Sequence, residues 1–343
     1  MPDGAQRPCT GCYGTEITEG VLRCSRCRRE YPIIEGIPRF TPDVQSDYPE
    51  FFRKHAGQFR QSTQADLKNF EALHTRTKRS FGYQWLRYRV SDHEENRQHF
   101  YRRTGAQPST LPGQLFFEAG CGMGRYLKVI GEQPGAEVVG LDLSLAVNRA
   151  RAENRSNPRV HVIQGNILEL PVATLVPPPY RVAGNIPYSL TGALFVQLLE
   201  QTPPPDRIDL LVQEEVAQRI VAPPGGWSLA TIGVRVYGEA QILLRVPRTA
   251  FLPPPRVDSA LLRIVPAAEP PIPRADLPSF FRFVTPFFQA RRKQLPFVLA
   301  RQRHVTRAEA RARLAVIGID PIRRPETLTL VEWRQVFESE RNG

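Results

Sequence analysis

The stretch QLFFEAGCGMG, residues 114–124, decides the fold that this sequence predicts. It opens with a short apolar run, which is typical of a strand buried on both faces of a parallel sheet. Glycines follow at positions 120, 122 and 124, where they allow a tight turn and a close approach of the backbone to a ligand. A strand, a glycine-rich turn and a following helix predict the opening unit of an α/β domain with a ligand at the turn.

Further stretches repeat the apolar pattern of this first strand, and helix-like segments separate the earlier ones. The predicted strands are AEVVGLDLS (136–144), RVHVIQGN (159–166), YRVAGNIP (180–187), RIDLLVQE (207–214), AQILLRVP (240–247) and SALLRIVP (259–266). Alternating strands and helices favour a parallel sheet with helices on both faces, so we expect an α/β, Rossmann-like fold.

Composition divides the chain into four predicted parts. A cysteine-containing module occupies residues 1–40, and a polar, helix-prone lead-in occupies residues 41–105. The α/β domain extends over residues 106–266, and a helical domain over residues 267–343 follows a proline-rich linker.

The balance of charge suggests a polyanionic partner. The chain has 343 residues with 46 Lys and Arg against 34 Asp and Glu, a formal net charge of +12. Such an excess suits nucleic-acid phosphates, although a merely solvated basic surface is an equal alternative. No apolar run approaches a membrane span, and the N-terminus lacks the apolar stretch of a signal peptide. We therefore expect a cytoplasmic protein without a membrane partner.

An acidic residue at the end of the second strand narrows the class of ligand that the glycine turn could bind. Asp142 lies about 20 residues beyond the glycines, where its carboxylate can bind ribose hydroxyls. A dinucleotide enzyme fits that spacing too. The pattern E-x-G-x-G-x-G that starts at Glu118, however, resembles the first motif of the class I S-adenosylmethionine methyltransferases.

That resemblance implies a role for each group of residues at the strand ends. The first acid and the glycines would face the methionine end of the cofactor, Asp142 would take the ribose, and residues 165–167 would lie beside the adenine. The implied cofactor-binding residues are Glu118, Gly120, Gly122, Gly124, Asp142, Asn166 and Asn185.

The tetrapeptide Asn185-Ile186-Pro187-Tyr188 ends the fourth strand and suggests a target base. The N6 amine of adenine is a poor nucleophile, so a site must accept hydrogen bonds from its hydrogens; the Asn185 oxygen and a neighbouring carbonyl can do so. Pro187 lacks a competing donor, and Tyr188 offers a face on which a flipped base can stack. A strand-ending turn with a buried tyrosine is the alternative for the tetrapeptide alone.

Longer stretches around this tetrapeptide resemble one family. AGNIPYSLTGALF (183–195), LLVQEEVAQRIVAPPG (210–225), VPRTAFLPPPRVDSALLRI (246–264), FFQARRKQL (287–295) and IGIDPIRRPETLTLVEW (317–333) occur in order. Together they resemble the KsgA/Erm family of rRNA adenine N6-methyltransferases over residues 178–337. The resemblance implies a Rossmann-like methyltransferase domain with a small C-terminal helical domain, and places Phe251 as a second wall of the base pocket.

The last of these stretches is more similar to the KsgA branch, which dimethylates adenines of small-subunit rRNA. The Erm branch, which acts on large-subunit rRNA, is the alternative. The expected partner is ribosomal RNA or a precursor of the ribosomal subunit, and a monomer is expected.

The first half departs from the family pattern. The expected Q-N-F-L motif is absent, and SFGYQWLRYRV (80–90) stands in its place. Residues 75–170 resemble a different branch of class I methyltransferases, so we predict a fusion with a joint near PVATLVPPPY (171–180). This half also favours two rival functions, a small-molecule methyltransferase and a non-catalytic ribosome-assembly factor.

Four cysteines form two C-x-x-C pairs near the N-terminus. Cys9 with Cys12 and Cys24 with Cys27 suit one tetrahedral Zn²⁺ ion, with no open position for catalysis. With YPIIEGIPRF (31–40) they resemble a short zinc ribbon, whose metal staple predicts a module that folds separately from the rest.

Basic residues are concentrated near the C-terminus. Residues 271–343 contain fourteen Arg and Lys against seven Asp and Glu. Arg291, Arg292 and Lys293 follow two phenylalanines, a pattern that suits RNA phosphates backed by an apolar face. A solvated helix face is the alternative.

Overall fold

The computed structural model describes residues 15–25, 28–59, 67–68, 70, 92–104, 106–251, 253–290 and 292–342. Two compact units divide the chain. The first comprises Met1–Pro187 with Gln201–Pro205, and the second comprises Tyr188–Glu200 with Asp206–Gly343. This division differs from the four predicted parts, because the last strands cluster with the C-terminal helices.

The first unit begins with a small antiparallel sheet of β1 (Glu19–Arg23), β2 (Glu30–Ile34) and β3 (Ile37–Pro38), in that order. Glu35 and Gly36 have φ of 56° and 75°, as expected for a two-residue hairpin turn between β2 and β3. Short helices follow the sheet: α1 (Val44–Asp47), α2 (Pro49–Lys54) and α3 (His93–Thr104).

The main sheet of the first unit confirms four predicted strands. They are β4 (Leu115–Ala119), β5 (Glu137–Asp142), β6 (Val160–Gln164) and β7 (Arg181–Asn185), with α4 (Arg125–Gly131), α5 (Ala146–Asn154) and α6 (Val172–Leu175) between them. The spatial order is β6-β5-β4-β7, and every adjacent pair is parallel. The direction of winding therefore reverses between β4 and β7.

Close helix packing explains two glycines of this unit. A Cβ on Gly140 of β5 would lie 2.6 Å from a methyl of Leu127 on α4. A Cβ on Gly124, at the start of α4, would lie 2.9 Å from the Cβ of Ala150 on α5. The Cβ of Ala150 cannot move away, so α5 can approach position 124 this closely only because it is glycine; a side chain at position 140 would require the Leu127 side chain to shift.

The second unit contains three further strands and seven helices among its described residues. They are α7 (Thr191–Leu199), β8 (Arg207–Gln213), α8 (Glu214–Val221), α9 (Leu229–Arg235), β9 (Gly238–Val246), β10 (Ser259–Pro266), α10 (Leu277–Gln289), α11 (Leu295–Arg303), α12 (Arg307–Val316) and α13 (Leu330–Asn342).

The strands of the second unit correct the expectation of a parallel sheet. β10 pairs antiparallel with both β8 and β9. The loop 247–258 joins β9 to β10 without a crossover helix, and a parallel pair needs such a crossover. The chain thus has an α/β fold with parallel strands in one unit and antiparallel strands in the other.

Aromatic packing holds the C-terminal helices together. Trp333 of α13 is fully buried, with its ring 5.2 Å from that of Phe287 on α10. Phe280 and Phe337 meet edge-on at 5.5 Å. Among the described residues, no helix has both the length and the apolar character that a membrane span requires.

Candidate functional site

The strand register aligns the predicted site residues of the first unit. Ala119 pairs with Leu141 on one side and with Gly184 on the other, and Asp142 pairs with Gln164. Residues that follow these pairs therefore lie at the same edge, where the strands end. Ligands of open α/β sheets bind outside the carboxyl ends at the point where the strand order reverses, which here lies between β4 and β7.

The glycine turn after β4 lies next to the tetrapeptide after β7. Gly120 has φ of +72°, and a Cβ there would lie 3.5 Å from Ile186 and 3.6 Å from the carbonyl oxygen of Asn185. Backbone conformation rather than space requires glycine at this position. Ile186 is buried and Asn185 is exposed. The structure thus brings the first predicted motif and Asn185 together.

Asp142 organises the glycine turn from β5. Its Oδ2 accepts a hydrogen bond from the Gly122 amide at 2.9 Å, and its Oδ1 accepts from the amide and hydroxyl of Ser144 at 2.8 and 2.7 Å. Burial raises the pKa of Asp142, while the bonds from Ser144 and Gly122 oppose that rise. Sequence reasoning missed Ser144, although Asp-x-Ser is typical of a side-chain-to-backbone turn.

Glu118 is the buried carboxyl group of β4. Its Oε2 has no hydrogen-bond partner within the described part of the chain. Burial raises its pKa to about 8, the nearby Asp142 adds to the rise, and Arg125 opposes it. An unpartnered buried acceptor at the strand end fits a cationic ligand group, because a buried carboxylate is otherwise costly.

Asn166 is buried just after β6, and its amide is engaged locally. Its Oδ1 accepts from the Leu168 amide at 3.1 Å, and its Nδ2 donates to Glu169 at 2.6 Å. The side chain therefore fixes the turn 166–169, and its predicted contact with the cofactor adenine stays a prediction. Glu169 is a neighbour that sequence reasoning missed.

In the second unit, Tyr188 is held by its hydroxyl. The Tyr188 oxygen lies 2.5 Å from the Oγ of Ser259, which is fully buried at the start of β10. This contact fixes the ring of a half-buried tyrosine. Sequence reasoning missed Ser259, because nothing in the pattern pairs residues 71 positions apart.

Phe251 lies in the loop 247–258 and packs against a cluster of Leu211, Val246 and Leu261. Asp258 closes this loop by accepting from the Arg248 amide at 2.7 Å. The contacts described for the second unit do not join Phe251 to Tyr188, so its role as a second wall of the base pocket stays a prediction.

Two of the predicted RNA-binding residues lie at the break between α10 and α11. Arg292 and Lys293 are exposed there, and Arg291 lies outside the described residues. The cations of Lys293 and Arg307 stand 5.1 and 5.0 Å from the centre of the Phe297 ring. A groove of about 460 Å³ adjoins this ring, lined by Pro286, Gln289, Ala290, Phe297, Val298, Arg301 and Gln302.

Of the predicted zinc ligands, Cys24 is described, whereas Cys9, Cys12 and Cys27 lie outside the described residues. Cys24 begins the turn between β1 and β2, where its amide donates to Arg29 and its carbonyl accepts from Arg28, both at 2.9 Å. The described residues contain no group of three or more His, Cys, Asp or Glu that could hold a metal. Three of the four predicted ligands lie outside the described residues, so the zinc ribbon stays a prediction.

Comparison with known proteins identifies the family. The model of the ribosomal RNA adenine dimethylase family matches residues 106–338. A ribosomal RNA small subunit methyltransferase A from Synechococcus sp. (strain JA-3-3Ab) is 34% identical over 263 residues, which are 75% of this chain and 90% of the relative.

Two solved structures share the fold. The 23S rRNA methyltransferase ErmE aligns with a TM-score of 0.55 at 22% identity, covering 74% of this chain and 99% of its own. A dimethyladenosine transferase from Plasmodium falciparum aligns with a TM-score of 0.58 at 17% identity, covering 72% and 95%. At these identities the likeness shows the fold alone.

The family match also corrects the predicted fusion. It begins at residue 106 and extends past residues 171–180, where we expected a joint between two methyltransferase branches. A fused first half is therefore not supported. The chain belongs to the ribosomal RNA adenine dimethylase family.

Proposed function

We propose that this protein transfers methyl groups from S-adenosylmethionine to the N6 amine of adenine in small-subunit ribosomal RNA. The observation that carries the proposal is the position of Asn185 at the end of β7, with its carbonyl oxygen beside Gly120. Family membership supports the reaction, and the relative named as a small-subunit enzyme supports the choice of RNA.

The residues at the strand ends fit the cofactor. S-adenosylmethionine supplies an electrophilic methyl group on a sulfonium ion. The unpartnered Oε2 of Glu118 would accept from the ammonium of its methionine end. Asp142 would use its remaining lone pairs for the ribose hydroxyls. Because the Asn166 amide is engaged, we place the adenine against the main chain of residues 165–167.

The target amine is prepared by acceptors rather than by a strong base. The side-chain oxygen of Asn185 and an adjacent carbonyl accept from the two amino hydrogens, which favours a pyramidal nitrogen. The nitrogen lone pair would attack the methyl carbon, the S–CH₃ electron pair would leave with the thioether sulfur, and the methylated, cationic amine would release a proton to solvent. Tyr188, with its hydroxyl held by Ser259, supplies the stacking face for the base.

Two finer assignments complete the proposal. Dimethylation is the outcome that the family description supports. Action on large-subunit RNA is the second candidate, because the stretches within residues 178–337 resemble a family that includes the Erm branch. We also assign Arg291, Arg292 and Lys293 to RNA phosphates, and expect a monomer that works in the cytoplasm.

We further propose one zinc ion on Cys9, Cys12, Cys24 and Cys27. The turn that begins at Cys24 supports it, because Arg28 donates back to the Cys24 carbonyl as the chain reverses between two strands. Four thiolates would give a closed, structural site.

Mass spectrometry of methylated adenines tests the function. Purified protein and S-adenosylmethionine are incubated with unmethylated small subunits, with large subunits and with a metabolite panel, and Asn185→Ala serves as the control. We expect dimethyladenosine in small-subunit RNA alone. The proposal would be overturned by methylation of large-subunit RNA alone, by methylation of a metabolite alone, or by the absence of methylation on every substrate.

A further inference from the structure

Arg39 is a fully buried arginine that follows β3 in the first unit. Its Nη1 donates to Oε1 of Gln164 at 2.6 Å, and its Nη2 donates to Oδ1 of Asn148 at 2.8 Å. The guanidinium lies 4.3 Å from the centre of the Tyr48 ring, and the Tyr48 hydroxyl accepts from Nδ2 of Asn148 at 2.8 Å. Three side chains therefore enclose the cation.

Burying the Arg39 guanidinium in this way lowers the free energy of unfolding, so a contribution to stability does not explain its presence. Both hydrogen-bond acceptors of Arg39 are neutral amides, and its Nε has no hydrogen-bond partner in the described part of the chain. Burial lowers the pKa of Arg39, as expected when a charge leaves water. An apolar side chain of similar size would serve a simple packing role at lower cost.

The residues that Arg39 contacts lie directly behind the proposed cofactor site. Gln164 ends β6 and pairs with Asp142, and its Nε2 donates to the Leu143 carbonyl at 3.3 Å. The next residue, Phe40, donates its amide to the Gln164 carbonyl at 2.8 Å, so residues 39–40 lie along β6 in parallel register.

Arg39 also contacts the element on the other side of the loop. Asn148 lies on α5, whose start follows Ser144, the residue that donates to Asp142. Arg39 thus joins the end of β6 to the first turn of α5. The loop from Asp142 to Ser144 leads from β5 into α5 and contacts β6 through the bond from Gln164 to the Leu143 carbonyl.

We propose that Arg39 is a positioning residue for the ribose and adenine end of the cofactor, acting through Gln164 and Asn148. This inference rests on the proposed function, which places S-adenosylmethionine at these strand ends. Arg39 lies before residue 106, outside the stretch that the family model matches.

A second contact provides a control that distinguishes positioning of the cofactor site from simple attachment of the N-terminal segment to α5. Arg151, further along α5, forms an ion pair with Glu16 near β1. It ties the same N-terminal segment to the same helix without contacting residues 142–144 or 164. Arg151→Met is therefore a matched control for Arg39→Met, since both remove one buried or half-buried guanidinium from this attachment.

The test measures the dissociation constants of S-adenosylhomocysteine and 5′-deoxy-5′-methylthioadenosine by calorimetry on the full chain. We expect Arg39→Met to raise both dissociation constants about tenfold. Both ligands carry the adenosine end that Arg39 is proposed to support through Gln164 and Asn148. Arg39→Lys should recover part of the loss. Arg151→Met should change neither constant, and Glu118→Gln should weaken S-adenosylhomocysteine more than the fragment that lacks the amino acid.

Two outcomes would overturn the positioning role: unchanged affinity in Arg39→Met, or an equal loss in Arg151→Met. If Arg39→Met does not fold, Gln164→Leu removes one of its two hydrogen bonds and should still weaken both ligands. In the methylation assay, Arg39→Met should raise the KM for S-adenosylmethionine and leave kcat unchanged. Wild-type protein that binds S-adenosylhomocysteine but methylates no RNA would refute the proposed function and leave the binding comparison valid.

Discussion

Tyr188 has two separable parts, a hydroxyl bonded to Ser259 and a ring assigned to the target base. The hydroxyl contact is local to the second unit, whereas the ring face is what a flipped base would use. Substitutions at this residue and at Asn185 therefore test the base pocket one chemical group at a time.

We expect Asn185→Ala to lower single-turnover methylation of rRNA on the order of 10²- to 10³-fold, because its acceptor matters most as the nitrogen pyramidalises. Tyr188→Ala should weaken capture of the base by roughly 1–3 kcal/mol. Tyr188→Phe, which keeps the ring and loses the Ser259 contact, should be much milder. Wild-type rates in both alanine variants would show that residues 185–188 are not the target site.

The buried carboxyl of Glu118 predicts a pH dependence of stability. Burial raises its pKa from the ordinary 4.5 to about 8 on folding, so between these values the folded protein holds a proton that the unfolded chain has released. The free energy of unfolding should therefore fall as pH rises from 4.5 to 8, and level off above 8. In thermal melts across this range, the melting temperature of Glu118→Gln should depend less steeply on pH than that of the wild type. An equal dependence would contradict the burial argument.

At the scale of elements, the break between α10 and α11 makes the basic cluster accessible. Residues 277–302 look like one continuous helix in sequence, yet α10 ends at Gln289 and α11 begins at Leu295 with Pro296 in its first turn. Arg292 takes the left-handed conformation, with φ of 67°, as the chain turns between them. The turn, rather than a helix face, presents Arg292 and Lys293 to solvent.

Replacing Arg291, Arg292 and Lys293 with alanine should weaken RNA binding and flatten its salt dependence, because each phosphate contact releases counterions. Cofactor affinity should not change. Binding is measured by titration at several salt concentrations, with Arg311→Ala, an exposed cation on α12, as the control. A salt slope equal to that of the wild type would assign these residues to a solvated surface.

At the scale of the whole molecule, the N-terminal segment belongs to the first unit. Residues 39–40 extend the sheet along β6, and β3 packs near the start of α5 through Arg39 and Asn148. These contacts favour folding of residues 39–40 together with the first unit, and the separate module of residues 1–40 stays a prediction. Removing residues 1–40 should destabilise the first unit.

Elemental analysis of purified protein should find about one zinc per chain. Cys24→Ser and Cys27→Ser should each reduce the zinc content, whereas Cys121→Ser, which changes a buried cysteine beside β4, should retain it. Zinc-free protein with normal stability would refute the proposed four-thiolate site.

The sequence by itself determined the elements whose signal is local. Each predicted strand from β4 to β10 is present, because a short apolar run next to a glycine or proline carries its own evidence of burial. The same local signal predicted the glycines at 120, 122 and 124, Asp142 and Asn185 at strand ends, where the structure has them; their roles at the site stay predictions.

Tertiary structure alone decided the contacts between residues far apart in the chain. The antiparallel pairing of β10 with β8 joins positions 46 (259 − 213) to 56 (264 − 208) residues apart. The bond from Tyr188 to Ser259 and the bonds of Arg39 to Asn148 and Gln164 join positions 71 to 125 residues apart. Such pairs leave no period or spacing in the sequence, because their partners are chosen by packing and by the need to satisfy buried polar groups. The same need gives Asp142 its second role, as the acceptor that shapes the glycine turn.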